Sequence, residues 1–158
     1  MKRKEREEIQ TKPISSVQQE ARKAIVANPR DLDEIWVHGR CADGLGSAVV
    51  GALFYEDQKN FGRPIPLKVW FVNADAMNLP SGKDKKIAIF DFCPSVEQIS
   101  TLVNECVSLT IHDHHVSNKT KLEAFPAYCT YSEVNSGIGL AWKFFYGLEK
   151  TPHSAFHA

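Results

Sequence analysis

A chain of 158 residues, 43% hydrophobic and 24% charged, is long enough to fold as one domain around a buried core. Its 19 basic and 19 acidic residues cancel, which argues against a dedicated duplex-DNA coat, since that needs a basic excess, while a nucleotide or short strand on a local patch stays compatible. No apolar run reaches membrane-span length, and Cys41, Cys93, Cys106 and Cys129 show no CxxC spacing, the pattern of reduced thiols in a cytoplasmic compartment.

Residues 1–33 read as a charged N-terminal extension. The leader up to Glu8 has no apolar core, so it is not a secretory signal, and its glutamates count against a mitochondrial presequence. Pro13 stops any early helix. Ser15 or Ser16 is placed to cap a helix over 15–27, with Val17, Ala21, Ala24 and Ile25 on one face and Asn28-Pro29 closing it.

From Glu34 to residue 148 the pattern is β–α alternation. Strands are expected at 35–38, 67–72, 86–90 and 107–111, with a short one at 128–131. Helices are expected from Gly44 through Tyr55, from Ser95 to about Glu105, and from Gly139 to Phe145. Residues 60–66 read as a loop and 149–158 as a tail. Alternation of this kind implies an α/β fold: a mainly parallel, Rossmann-like sheet with helices on both faces.

The apolar strands end in chemistry-bearing residues, and open α/β sheets bind ligands at the carboxyl ends of their strands. Asp91 follows the run Ile87-Ala88-Ile89-Phe90, where a lone carboxylate is costly unless paired or metal-bound. A capping role for Asp91 is weak, because Pro94 and Ser95 already supply a first-turn proline and a cap. Asp113-His114-His115 ends the next strand. Neighbours on an extended segment point oppositely, so one histidine faces Asp91 and the other is left for substrate or support.

The stretch His38-Gly39-Arg40-Cys41-Ala42-Asp43-Gly44 joins the first strand to its helix. Its glycines permit close approach of an anion to a helix N-terminus, but it lacks the GxGxxG and Walker patterns. Its donors are an imidazole, a thiol and a carboxylate. Arg40 suits a phosphate, although a solvated loop arginine is the commoner outcome. Ser136-Gly137 opens the last helix, as a phosphate contact or as an ordinary N-cap.

In this order, His38-x-x-Cys41-x-Asp43-Gly44, Asp91-Phe92, Asp113-His114-His115 and Ser136-Gly137-x-Gly139 resemble the DHH phosphoesterase superfamily, in its branch with an HxxCxDG first motif. The resemblance runs from about Ile35 to Tyr146. It implies hydrolysis of phosphodiesters in nucleotides or short single-stranded nucleic acid, as in phosphodiesterases and exonucleases, with two Mn²⁺ ions, Mg²⁺ being the alternative. It further implies that His38 and Cys41 hold one ion, that Asp43 and His114 hold the other, and that Asp91 bridges. His115 would contact the scissile phosphate and Asp113 would orient the histidines, with Arg40, Ser136 and Gly137 nearest the substrate phosphate.

Two departures qualify that expectation. Cys41 stands where many relatives carry aspartate, which predicts a weaker or softer first ion. The family's last metal-binding aspartate and its substrate-binding domain lie beyond the residues present here. This leaves an alternative, a catalytically weak member serving as a binding or structural subunit, and predicts self-association or a partner protein over the open edge.

Overall fold

The computed structural model describes residues 23–59, 67–73 and 78–147. Along them run β1 (Ile25–Val26), β2 (Glu34–His38), α1 (Ala42–Lys59), β3 (Lys68–Val72), β4 (Lys86–Phe90), α2 (Val96–Glu105), β5 (Ser108–Asp113), α3 (Lys119–Glu123), β6 (Cys129–Tyr131) and α4 (Gly137–Tyr146). The strands form one parallel sheet in the order β1-β5-β4-β2-β3, with β6 also pairing β5. The fold is the expected α/β class. Among the described residues no helix is long and apolar enough to cross a membrane.

Strand alternation explains why both faces are covered. Ile35, Val37, Ala88 and Phe90 turn to one face and pack with Val50 and Phe54 of α1 and Ala141 and Phe145 of α4. Trp36, Ile87, Ile89, Leu109 and Ile111 turn to the other, against Ile99, Leu102 and Val103 of α2 and Leu122 of α3. Strands buried on both sides read as unbroken apolar runs, which is how they stand in the sequence. The α2 N-terminus matches expectation closely. Ser95 accepts from the Gln98 amide, and the Gln98 side chain accepts from the Ser95 amide, so two orphan donors are satisfied reciprocally.

The N-terminal helix expected over 15–27 fails where it can be seen. Residues 15–22, with the rest of the leader, lie outside the described residues, as do 60–66 and the tail. Ile25 and Val26 are instead a strand, pairing Ser108 and Leu109 of β5. Their β-branched side chains favour extended backbone, and the free edge of β5 offers donors and acceptors that a helix would leave bare. Ala24, Ala27 and Leu32, all before Glu34, also pack in the core, and the Tyr128 hydroxyl donates to the Ala24 carbonyl at 2.7 Å. The short α3 was not legible as an element, since a five-residue helix carries too little periodicity.

Topology then selects one edge. β2 lies between β3 and β4, so the chain leaves it in one direction to β3 and crosses back to β4. A crevice opens where the winding reverses, outside the carboxyl ends of β2 and β4. His38 and Asp91 stand at those ends.

Candidate metal centre

Asp91 sits at the middle of this edge. It is fully buried, its backbone is left-handed (φ 68°), and its amide donates to the His112 carbonyl at 2.9 Å. Aspartate tolerates that conformation better than most residues, and such backbone strain gathers at functional sites. α4 closes over it: a Cβ on Gly137 would come within 2.7 Å of Asp91 Oδ1. Only glycine lets the helix start that close to the carboxylate.

The two oxygens of Asp91 meet different groups. Oδ2 accepts from Cys41 Sγ at 2.8 Å and lies 3.6 Å from His38 Nδ1. Oδ1 accepts from His114 Nε2 at 2.9 Å, and that nitrogen is also 3.5 Å from Asp43 Oδ2. Two sets of potential ligands have their donor atoms within 4.8 Å of one another: Asp91, Asp113, His114 and His115, and His38, Cys41 and Asp91. Asp91 is common to both.

The loop after β2 is shaped to bring its donors in. Gly44, in the first turn of α1, lies so close to β2 that a Cβ there would come within 1.9 Å of the His38 carbonyl oxygen. The Gly44 amide donates to Cys41 Sγ at 3.2 Å. Burial, and then the hydrogen bond to Asp91, push the Cys41 thiol pKa up, so without an ion the sulfur keeps its proton. Asp43 Oδ1 accepts from the Ile138 amide of α4 at 3.4 Å, tying the two helix starts together.

Asp113 is engaged on both oxygens. Oδ1 accepts from the His114 amide (2.8 Å), the His115 amide (3.4 Å) and His115 Nδ1 (2.6 Å), and Oδ2 accepts from Asn118 Nδ2 at 2.6 Å. Such a carboxylate orients others. The bond from His115 Nδ1 leaves Nε2 for a ligand or substrate. Burial disfavours charge on His115, but the Asp113 hydrogen bond and the charges of Asp113, Asp91 and Asp43 together outweigh it, and the net pKa shift is upward. The preceding His112 behaves oppositely: it points to the α4 face, stacks on Phe90 (5.0 Å, 12°), and burial pushes its pKa down to about 4.

The donors fit a metal. His38 Nδ1 is buried without a hydrogen-bond partner, an expensive state for a polar atom unless something binds it. Among the described residues no lysine or arginine pairs with Asp43, Asp91 or Asp113. Imidazole, thiolate and carboxylate are also the ligands of first-row divalent ions.

The fold brings His38, Cys41, Asp43, Asp91, Asp113, His114 and His115 to one edge, and of the two histidines it is His114 that meets Asp91. The residues expected near a phosphate are placed less decisively. Ser136 caps α4, its Oγ accepting from the Gly139 amide at 3.2 Å. Gly137 packs on Asp91. Arg40 is exposed with φ 60° and has no ion pair or hydrogen bond among the described residues. Asn118 was missed in the sequence, where a lone amide after a histidine pair carries no periodic signal. The other thiols belong to no candidate ligand set among the described residues: burial raises Cys93 to about 11 and Cys106 and Cys129 to about 12, and all four cysteines are free.

No family model matches the chain, and no solved structure matches it. Among curated proteins it is similar to an uncharacterized protein of Acanthamoeba polyphaga mimivirus, 23% identical over 145 residues, which cover 84% of this chain and 33% of that protein. The chain spans about a third of the length of the curated relative it matches.

Proposed function

We propose that this edge is a two-ion centre that hydrolyses phosphodiesters in nucleotides or short single-stranded nucleic acid, as in the DHH phosphoesterases. One observation carries the reading. The buried Asp91 turns one oxygen to His38 and Cys41 and the other to His114, whose Nε2 also lies 3.5 Å from Asp43, with no lysine or arginine beside it among the described residues. A structural carboxylate has no need of two separate sets of metal-binding partners.

In this reading His38 and Cys41 hold one ion, Asp43 and His114 the second, and Asp91 both. Mn²⁺ is the expected ion and Mg²⁺ the alternative. The bound pair would supply an activated water and neutralise charge on the phosphate. The chain's own residues do the rest. Asp113, pinned by Asn118 and two backbone amides, holds the His115 ring through Nδ1. A cationic His115, favoured by its raised pKa, presents Nε2–H to a phosphate oxygen and stabilises charge that builds there. Arg40, which has no other partner among the described residues, is the second cation available to the phosphate.

The test is metal analysis of the full chain after loading with Mn²⁺ and gel filtration, together with a panel of linear dinucleotides, cyclic dinucleotides and short single strands. Two retained ions with turnover of at least one substrate support the reading, and retained ions without turnover, or none, remove it. One observation favours a second reading, a non-catalytic binding subunit. The Cys41 thiol keeps its proton and donates it to Asp91, so the cluster is partly satisfied with no ion present. That reading predicts no retained Mn²⁺ and a folded protein in chelator.

A further inference from the structure

Beside the cluster lies a cavity of about 420 Å³ between β6 and α4, which no residue assigned above explains. Its size falls in the range of small-ligand sites, about 300–1,000 Å³. Its lining combines aromatic and apolar groups (His112, Leu140, Phe144) with polar ones (Thr130, Asn135, Lys143) and includes no carboxylate.

The polar lining is only partly committed. The Thr130 hydroxyl forms no hydrogen bond among the described residues. Asn135 Nδ2 is spent on the Ser132 hydroxyl at 2.9 Å, which leaves its carbonyl oxygen as an acceptor. Lys143 is exposed on α4 and pairs with no carboxylate among the described residues. A planar aromatic ligand has the part-exposed Phe144 ring to lie against and a donor and acceptor for its edge, and an attached anion has a cation to meet.

The position also fits. The loop from β6 to α4 touches both the cavity and the cluster: the Ser132 amide donates to the Asp113 carbonyl at 3.3 Å, and Asn135 leads into Ser136 and Gly137, which packs on Asp91. His112, in the cavity wall, is one residue from Asp113. A molecule with one phosphate at the cluster and a neighbouring nucleotide in the cavity would lie along a single sheet edge.

We infer that the cavity between β6 and α4 binds a nucleotide, with the base against Phe144, the base edge at Thr130 and Asn135, and a phosphate on Lys143. The inference rests on the phosphodiesterase reading for its purpose but not for its chemistry, and the test keeps them apart. The full chain is titrated in EDTA, so that no ion contributes, with adenosine monophosphate, adenosine and inorganic phosphate, each by calorimetry. The monophosphate should bind at least tenfold more tightly than either half. Lys143→Glu, which removes the cation, and Thr130→Trp, which fills the cavity from an exposed strand position, should each weaken it at least tenfold. Should one variant fail to fold, as judged by circular dichroism, the other decides. The site is overturned if the monophosphate binds no more tightly than phosphate, if no binding is detected, or if a folded variant binds like the wild type. Loss of the phosphodiesterase reading would show separately, as absence of retained Mn²⁺.

Discussion

The two ends of the sheet treat acidic residues in opposite ways. At the amino end the carboxylates of Asp31, Asp33 and Glu34 each have a neutralising or satisfying partner. Glu34, buried in β2, accepts from Trp36 Nε1 and Lys85 Nζ, both at 2.9 Å, with Lys68 Nζ at 3.9 Å. Asp31 pairs with Lys86 through both oxygens at 2.9 Å, and Asp33 accepts from the Lys86 amide. At the carboxyl end Asp43, Asp91 and Asp113 meet imidazoles, a thiol and amides, and no lysine or arginine among the described residues. Both ends are rich in acid, so acid content does not mark a site. The missing counter-charge does, because a buried charge without compensation costs several kcal/mol and is kept only where something else compensates it.

That contrast breaks if Asp91 proves replaceable. Asparagine retains tolerance of the left-handed backbone and nearly the same volume against Gly137, so Asp91→Asn isolates the charge better than alanine would. We expect complete loss of retained Mn²⁺ and of hydrolysis, with an unfolding free energy from urea denaturation in chelator that is unchanged or higher by about 1 kcal/mol as repulsion among the three carboxylates falls. Normal Mn²⁺ stoichiometry in the variant would remove Asp91 from the bridging position.

At the opposite end the matched prediction is a loss of stability with no effect on metal. Burial raises the Glu34 pKa, but the bonds from Trp36 and Lys85 outweigh it, and the net shift is below the ordinary 4.5. A carboxylate with a depressed folded pKa contributes stability that is fully present above its unfolded value and is lost as pH falls through the folded one. Glu34→Gln should therefore cost about 1–3 kcal/mol near neutral pH, and the difference from wild type should shrink below about pH 4.5. Chemical denaturation across that range checks it. A difference that grows on acidification would reverse the assignment of Glu34 as a charged, paired group.

The smallest effect expected is at Cys41, whose thiol is the one soft donor at the carboxyl end. Cys41→Asp should shift preference from Zn²⁺ toward Mn²⁺ and Mg²⁺ by about tenfold in competition, with the fold unchanged. Unaltered selectivity would make Cys41 a small packing residue that happens to donate to Asp91.

Within the site, legibility followed local chemistry. Asp91 and the Asp113-His114-His115 run stood out because each ends an apolar strand, where a polar residue needs a reason. The choice of His114 over His115 for Asp91 was foreseeable only as an alternation. Its outcome depends on Asp113 and Asn118 drawing His115 aside. Elsewhere, Val17, Ala21, Ala24 and Ile25 match a helical stripe, yet Ile25 and Val26 became an edge strand because the vacant side of β5 was there to pair with. Nothing within ten residues of Ile25 announces β5, which lies some eighty residues on.

From sequence alone came the α/β class, the strand ends and the identity of the donor residues, all properties of short stretches: apolar runs, period and the punctuation of glycine and proline. Tertiary structure decided what lies beyond that reach. It set the crossing from β3 back to β4 that puts His38 beside Asp91, the approach of α4 that makes Gly137 the contact surface of a buried carboxylate, and the division of Asp91's oxygens between two sets of partners. These depend on which distant segments share an edge, and packing of the whole chain settles that rather than the propensity of any part of it.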